Sequence, residues 1–317
     1  MELLAYATFF GTVALSYALI TLGLNVQWGL TGLFNVGVAA FVAVGAYTSA
    51  ILTSPATVGR IGGFALPLPV GWLAAAAAAA LLANLVAWLT IRLRADYLAI
   101  TTFGVAVAVQ LAVLNLTGLT GGPFGITFIP RPFAAWAGDP ARFGLANFAL
   151  VAATVLIVYL LLETLAKSPW GRVLRAVRED ETAAEALGKS PRRLRIEAFT
   201  VGGAVMGLAG AVQAHFVGFI APENFLPTLT FQVWAMLIVG GSGNNRGAIL
   251  GAVLVWAIWA ASGALIGAVV PAAMQARAAS LQIVCIGVAL CAILLTRPGG
   301  LLGETPVRRR RKPTSPT

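Results

Sequence analysis

Apolar stretches long enough to cross a lipid bilayer recur along almost the whole chain, and 59% of its residues are hydrophobic. A helix needs about 20 residues, at about 1.5 Å of rise each, to cross a hydrocarbon core of about 30 Å. The sequence therefore predicts an all-α polytopic membrane protein with about nine membrane segments, within a range of about eight to ten. The predicted segments cover residues 3–26, 33–53, 68–91, 97–117, 145–166, 198–219, 228–241, 247–269 and 279–296.

The segments contain many glycines, 35 in 317 residues, and several of them recur four positions apart. Such spacing lets helix backbones approach closely in a membrane, where lipid supplies no hydrophobic driving force between helices. We therefore expect a tightly packed bundle with contacts at Gly203/Gly207, Gly247/Gly251 and Gly263/Gly267. No basic stretch precedes the first segment, so we expect it to be retained as a span rather than removed as a signal.

Arginine and lysine residues indicate which loops face the cytoplasm. If Arg92 and Arg94 lie inside and the segments alternate from there, 17 of the 21 basic residues lie inside. The four that remain outside are Arg60, Arg131, Arg142 and Arg277. The distribution favours an N-terminus outside the cell and a C-terminus in the cytoplasm. Residues 1–303 would then form a transmembrane domain, and residues 304–317 a disordered basic cytoplasmic tail that favours anionic lipid.

Several stretches interrupt the regular pattern. Segment 228–241 has 14 residues, which reach only about 21 Å as a helix and suggest a half-helix. NVQWGLTGLFNVG (25–37) and GGSGNNRG (240–247) are rich in Gly and polar residues. Irregular backbone persists at membrane depth only where protein buries it or water reaches it, so both are candidates for lining a pathway; ordinary interfacial turns are the alternative. The Gly/Pro-rich stretch 118–144 is predicted to be an external loop with turns and an interfacial helix, which either touches a soluble partner or only connects two segments.

Ionisable groups within the membrane, which enzymes and proton-coupled carriers need, are scarce. The three aspartates, Asp96, Asp139 and Asp180, all fall in predicted loops. This placement excludes a pair of catalytic aspartates inside the membrane. The single histidine, His215, is more typical of a satisfied packing position than of a catalytic one.

The remaining reactive residues offer no catalytic site either. Glu163 and Glu197 fall near predicted cytoplasmic helix ends, where water or basic neighbours can satisfy them. The chain has no GxxxxGK[ST] motif and so cannot hydrolyse ATP by that route. Cys285 and Cys291 have no histidine or further cysteine nearby, so neither a metal site nor a structural disulfide is expected. We therefore expect a chain that is not an enzyme and binds no cofactor or metal, with any energy supplied through a partner.

Charged residues concentrate in one place: residues 171–195 contain 11 of the 32 in the chain. Apolar residues at helical spacing predict a first helix over about 170–179, with Arg175 and Glu179 as an i,i+4 ion pair. Because so few charges occur elsewhere, this stretch is expected to contact something other than lipid.

A second short helix is predicted to follow, because Asp180 can accept from the amide of Thr182 or Ala183 and Gly188 suits a left-handed position after a helix end. A short helix with a small apolar stripe and charged flanks suits a shallow groove in another protein. A solvated loop that only carries positive-inside charge is the alternative. The stripe consists of Ala183, Ala184 and Leu187. The residues predicted to form the docking surface are Arg175, Arg178, Glu179, Asp180, Glu181, Ala183, Ala184, Glu185, Leu187 and Gly188.

Several stretches match a known family. They are SYALITLGLNVQWGLTGLFNVGVAAFVAVGAYTSAIL (16–52), YLAITTFG (97–104), GRVLRAVREDETAAEALG (171–188), and a block that runs from 209–225 to 240–252. Together they span most of the chain in family order. The chain resembles the LIV-type membrane permeases of ABC importers for branched-chain amino acids, and among them the LivM-like rather than the LivH-like branch.

The resemblance implies the permease fold of ABC importers in a bacterial inner membrane. It implies as partners a second, LivH-like permease, two cytoplasmic ATPases that bind ATP and Mg, and an extracytoplasmic solute-binding protein. Residues 167–197 would be the coupling loop that docks on an ATPase. The sequence departs from the family pattern at GGSGNNRG, where Asn245 and Arg246 stand, so no role is assigned to this turn.

The resemblance also implies transport by alternating access. The predicted lining residues are Asn25, Gln27, Thr31 and Asn35, because uncharged polar groups can hydrogen-bond a passing zwitterion without trapping it. A branched-chain amino acid is the expected substrate, with urea or a related amide as the alternative. The bilayer and a small neutral or zwitterionic solute, but no nucleic acid, complete the expected partners. An ion-coupled secondary transporter or channel and an intramembrane enzyme are the competing classes.

Overall fold

In a computed structural model, which describes residues 2–57 and 59–271, nine positions between 274 and 296, and residues 299–303, the chain folds into helices. A π-helical turn, Asn25–Gly29, continues the first helix, and the described residues form no β-strand. The helices are α1 (Glu2–Leu24), α2 (Val38–Thr53), α3 (Leu68–Thr90), α4 (Ala95–Asn115), α5 (Thr117–Thr120), α6 (Pro140–Lys167), α7 (Pro169–Glu179), α8 (Glu181–Ala186), α9 (Pro191–Val217), α10 (Pro227–Gly240) and α11 (Asn245–Val269).

Among the described residues, six helical stretches are long and apolar enough to cross a membrane, which supports a multi-pass all-α membrane protein. They are Leu4–Gly29, Leu68–Thr90, Ala95–Asn115, Pro140–Lys167, Pro191–Val217 and Asn245–Ala268. The apolar helices α2 and α10 are shorter, with 16 and 14 residues. The predicted segment 279–296 lies largely outside the described residues, as do Arg277, Cys285 and the predicted tail 304–317. The predicted count of about nine crossings is therefore not confirmed.

The centre of the bundle is a contact of α9 with α2 and α3 that is built on small side chains. Every fourth residue of α3 from position 75 to 87 is a fully buried alanine. A Cβ at Gly203 of α9 would lie 2.3 Å from the Cβ of Ala83, and one at Gly207 would lie 2.2 Å from that of Ala79. Only glycine allows these backbones to approach so closely, as predicted for the Gly203/Gly207 pair.

The other two predicted glycine contacts differ from each other. A Cβ at Gly247 or Gly251 of α11 would lie 2.6 Å or 2.0 Å from backbone oxygens of α10, so this pair is a tight helix contact. Farther along α11, a Cβ at Gly263 would have its nearest described neighbour at 3.7 Å, and one at Gly267 would have none within 4 Å. No described residue forms a close contact at Gly263/Gly267, and the predicted segment 279–296 lies largely outside the described residues, so this predicted contact stays a prediction.

The loops gather at two ends of the bundle. One end carries the 118–144 loop, which is attached to the segment after α9 because Ile126 and Ile220 exchange backbone hydrogen bonds of 2.9 and 3.0 Å. The opposite end, named the charged end, carries residues 168–190, the turn 91–94 between α3 and α4, and the turn 241–244 between α10 and α11.

The 118–144 loop contains less helix than expected. Its helical parts are the end of α5 and the 3-10 turns Gly122–Phe124 and Ala134–Trp136. The following span, α6, begins at Pro140 instead of the predicted residue 145. Its start is set by Asp139, whose Oδ1 accepts from the amides of Ala141 and Arg142 at 3.1 and 3.2 Å.

Candidate functional site

The first irregular stretch begins where α1 ends. After the π-helical turn, residues 30–37 run without helix until α2 begins at Val38. Gly32 has a φ of +72°, a left-handed conformation that glycine adopts without strain. The second segment, predicted to begin at about residue 33, begins as a helix at Val38, after a turn in which Asn35 Oδ1 accepts from the Gly37 amide at 2.7 Å. Single π-helical turns are frequent at functional sites, which directs attention to this stretch.

The four predicted lining residues all belong to this stretch and are buried, with at most 2% exposed. Gln27 lies at their centre, since its Nε2 donates to the Phe199 carbonyl at 2.8 Å and its Oε1 accepts from Asn35 Nδ2 at 2.7 Å. Thr31 Oγ1 donates to the Gln27 carbonyl. In this conformation the side chains stabilise the irregular backbone. Their contact with a passing solute stays a prediction.

Asn25 connects the two irregular stretches. Its Oδ1 accepts from the Gly243 amide at 2.8 Å, and its Nδ2 donates to Asn245 Oδ1 at 2.9 Å. Asn245 Nδ2 donates in turn to Glu163 Oε2 at 3.0 Å, and Glu163 Oε1 pairs with Lys167 at 2.9 Å. These bonds join the π-helical turn, α6 and α11 at the charged end. No role was assigned to Asn245 from the sequence. The signal that could have found it is that a buried Asn25 needs partners for both its donor and its acceptor.

An aromatic cluster, which the sequence did not reveal, packs beside these amides. The rings of Trp28, Phe34 and Trp234 meet edge to face, with centroids 4.7 to 5.6 Å apart. Trp234 Nε1 donates to the Asn35 carbonyl at 2.8 Å, and Thr230 Oγ1 accepts from the Ala39 amide in the first turn of α2 at 3.2 Å. The short helix α10 is thereby bonded to the irregular stretch.

The charged stretch folds into the two predicted helices. The first, α7, buries Leu174 and Val177. Asp180 Oδ1 then accepts from the Ala183 amide at 3.0 Å and begins α8, as predicted. Gly188, with a φ of +74°, follows the end of α8 in the left-handed conformation that was expected.

Arginines attach α7 to the membrane helices. Arg178 Nη1 donates to the carbonyl of Gly29, the last residue of the π-helical turn. Arg175 Nη2 donates to the Ala166 carbonyl at 2.7 Å, while Glu179 pairs with Arg178 at 2.9 Å. The predicted Arg175–Glu179 ion pair is therefore wrong, because the carbonyls at the end of a helix lack helical partners and Arg175 satisfies one of them.

The short helix α8 is the most exposed part of the charged stretch. It is tied to α9 by an ion pair of 2.8 Å between Glu181 and Arg195. Ala184 is only 4% exposed, whereas Leu187 is 79% exposed. The predicted exposed stripe is therefore wrong at Ala184, which packs against the chain itself. The apolar surface available to another protein consists of Leu187 with the exposed Ala183.

The single histidine lies at the opposite end and is fully buried. His215 Nδ1 donates to the Pro130 carbonyl at 2.7 Å, and its Nε2 lies 2.8 Å from Ser49 Oγ. Both ring nitrogens are therefore hydrogen-bonded, as expected for a satisfied packing position. The side chain attaches the 118–144 loop to α2 and α9.

Comparison with known proteins identifies the family. The family model described as "Branched-chain amino acid transport system / permease component" matches residues 6–294. The chain is 39% identical to the high-affinity branched-chain amino acid transport system permease protein LivM of Escherichia coli K12 over 264 residues, which are 77% of this chain and 60% of that protein. It is 30% identical to a probable branched-chain amino acid transport permease protein LivM of Methanocaldococcus jannaschii over 262 residues, 74% of this chain and 75% of that protein.

A more distant likeness extends over nearly the full length. The chain is 24% identical to the high-affinity branched-chain amino acid transport system permease protein LivH of Salmonella typhimurium over 308 residues, 94% of each chain. No solved structure matches the chain. Because the family model covers most of its length, the chain belongs to the family of permease components of branched-chain amino acid transport systems.

Proposed function

We propose that this chain is the permease subunit of an ATP-driven importer of branched-chain amino acids. The observation that carries the proposal is the family match over residues 6–294. Two features of the structure support it: a charged loop with an exposed short helix, and a contact between that loop and the irregular stretch after α1. The transport systems in the names of the relatives support the substrate class.

The proposed orientation places the charged end in the cytoplasm and the N-terminus outside. The charged end carries Arg92, Arg94 and the basic residues of the 167–197 loop, whereas the opposite end carries Arg60, Arg131 and Arg142 among the described residues. This asymmetry follows the positive-inside rule. A solute-binding protein would then dock at the end that carries the 118–144 loop, and two ATPases at the charged end.

The proposed coupling element is α8, which would dock on an ATPase through Leu187 and Glu185. Movement of the docked helix would be transmitted to α7. The hydrogen bond from Arg178 to the Gly29 carbonyl would then transmit it from α7 to the π-helical turn. A hydrogen bond to a charged group contributes about 1.5–3 kcal/mol. Since about 1.4 kcal/mol is a factor of ten, making or breaking this bond shifts an equilibrium between two permease states by roughly 10-fold to 150-fold.

The proposed pathway passes the irregular stretch, between this chain and a LivH-like second permease. The amides of Asn25, Gln27 and Asn35 bond to the protein here, and a passing amino acid would exchange with these bonds through its carboxylate and ammonium groups. Uncharged amides hold a zwitterion without the strong attraction of a fixed buried charge. No covalent chemistry is required of this chain, because ATP and Mg would bind the ATPases.

Co-purification of the tagged chain with its candidate ATPase tests the proposal. Leu187→Asp adds a charge to the exposed surface of α8, while Leu187→Met keeps it apolar and serves as the matched control. We expect the wild type and Leu187→Met to retain the ATPase and Leu187→Asp to lose it. Failure of the wild type to retain any ATPase, or equal retention by Leu187→Asp, would overturn the assignment of α8. Ala184 is unsuitable for this test, because its burial makes substitution a folding perturbation.

A further inference from the structure

A groove of about 530 Å³ lies at the charged end, between the turn that joins α3 to α4 and the start of α9. Its charged lining residues are Arg92, Arg94, Glu181, Glu185, Arg192 and Arg195. The transport mechanism proposed above uses none of its arginines. We propose that this groove binds the phosphate headgroup of an anionic phospholipid from the cytoplasmic leaflet.

The groove carries positive charge that the described chain does not neutralise. Arg195 is paired with Glu181 at 2.8 Å. Among the described residues, the ion pairs formed by carboxylates involve none of Arg92, Arg94 and Arg192. Of the four arginines that line the groove, three have no ion pair among the described residues, and they share the groove with one unpaired lining carboxylate, that of Glu185.

A buried donor adds a second, independent observation. Arg195 Nε is buried and has no hydrogen-bond acceptor among the described residues. Buried donors in native structures are nearly always bonded, so Arg195, a lining residue of the groove, keeps a donor for which the described residues supply no acceptor. Arginine presents several donors in a planar fork that matches phosphate oxygens, which makes a phosphate group the fitting ligand.

The surroundings favour a phosphate that belongs to a lipid. Trp88 and Leu89 on the last turn of α3 are 60% and 63% exposed, and Tyr97 and Ile100 at the start of α4 are 60% and 69% exposed. Trp and Tyr are enriched at the level of lipid headgroups, so the ends of these two helices mark the edge of the hydrocarbon. Basic pockets between membrane helices on the cytoplasmic side suit anionic headgroups. The inference rests on the proposed membrane orientation and not on ATPase coupling.

Lipid retained through purification tests the site. The full chain, with whatever partners accompany it, is purified in mild detergent, and bound phosphatidylglycerol and phosphatidylethanolamine are quantified by mass spectrometry. The test variant is Arg92→Gln/Arg94→Gln/Arg192→Gln. The control, Arg172→Gln/Lys189→Gln/Arg193→Gln, removes the same charge from exposed positions of the same end outside the groove.

A juxtamembrane basic residue strengthens binding to anionic lipid by about fivefold. We therefore expect the groove variant to lose phosphatidylglycerol by more than about tenfold, while the control stays within about twofold. Phosphatidylethanolamine should be unchanged in both. Arg92→Lys/Arg94→Lys/Arg192→Lys, which keeps the charge but not the fork, should retain an intermediate amount, and elution as a single species by size exclusion confirms that each variant is folded.

Three results would overturn the proposal. Equal loss of phosphatidylglycerol from groove variant and control would show a non-specific effect of charge. Displacement of the bound lipid by inorganic phosphate at about 10 mM would assign the groove to free phosphate, because ligands compete according to their affinities. Loss of a co-purifying protein with retention of the lipid would assign it to protein docking. ATPase retention is measured in the same preparations, so that failure of the lipid proposal can be distinguished from failure of the coupling proposal.

Discussion

The hydrogen bond between Asn25 and Asn245 allows a quantitative test of the network that joins the two irregular stretches. Asn25→Ala leaves Asn245 Oδ1 and the Gly243 amide without their partner. Asn245→Ala leaves Asn25 Nδ2 without its acceptor and removes one donor from Glu163. Because Asn25 and Asn245 are at most 4% exposed, water does not readily replace the lost bonds.

The expected magnitude follows from this burial. An unsatisfied buried polar group costs about 1–3 kcal/mol, so each single variant should lower the free energy of unfolding by about that amount. The double variant removes both facing groups and should cost less than the sum. Coupling energies of hydrogen bonds between membrane helices average about 0.6 kcal/mol and reach about 1.7 kcal/mol. Full burial places this pair near the top of that range, at about 1–1.7 kcal/mol.

The assay is unfolding of the purified chain by SDS in mixed micelles, measured for the wild type, both single variants and the double variant. Asn115→Ala is the control, because Asn115 is exposed and donates to the Leu111 carbonyl of its own helix at 2.7 Å. Its effect should stay within about 0.5 kcal/mol. A coupling energy below about 0.3 kcal/mol would mean that the pair is energetically independent and would refute the reasoning.

Three further perturbations have definite expected outcomes. Arg178→Gln should reduce ATP-dependent leucine uptake by about tenfold or more, because it removes the hydrogen bond to the π-helical turn. The variant should still co-purify with the ATPase. Uptake at the wild-type level would exclude this contact from coupling. Gly207→Val should lower the free energy of unfolding in SDS by about 3 kcal/mol through overpacking, whereas Gly104→Val, at an exposed position of α4 with no described neighbour within 4 Å, should have little effect; equal effects would contradict the proposed helix contact. His215→Ala should cost about 1–3 kcal/mol by releasing the Pro130 carbonyl and should speed proteolytic cleavage of the 118–144 loop; unchanged cleavage would show that the loop is held elsewhere.

Features set by neighbouring residues were predictable from the sequence. Asp180 and Gly188 delimit α8 because a capping side chain and a left-handed residue act within a few positions. The contact at Gly203/Gly207 was also predictable, since small residues one turn apart mark a face where backbones approach. Hydropathy identified the long spans. It placed the start of α2 too early, because the side chain of Asn35 forms a turn with the Gly37 amide before the helix begins.

Contacts between distant parts of the chain could not be predicted. The bond from Asn245 to Glu163 joins residues 82 positions apart, and that from Arg178 to Gly29 joins residues 149 positions apart. No local spacing encodes either contact. Ala184 shows the same limit, because helical periodicity places it on a stripe but cannot show whether the rest of the chain covers that stripe.

Uptake of labelled leucine by proteoliposomes that contain this chain with its partner permease and ATPases tests the central claim most directly. The account predicts uptake that requires ATP at the charged end and the solute-binding protein at the opposite end, and that continues when ion gradients are collapsed. Leucine uptake driven by a sodium or proton gradient in the absence of ATP would contradict it.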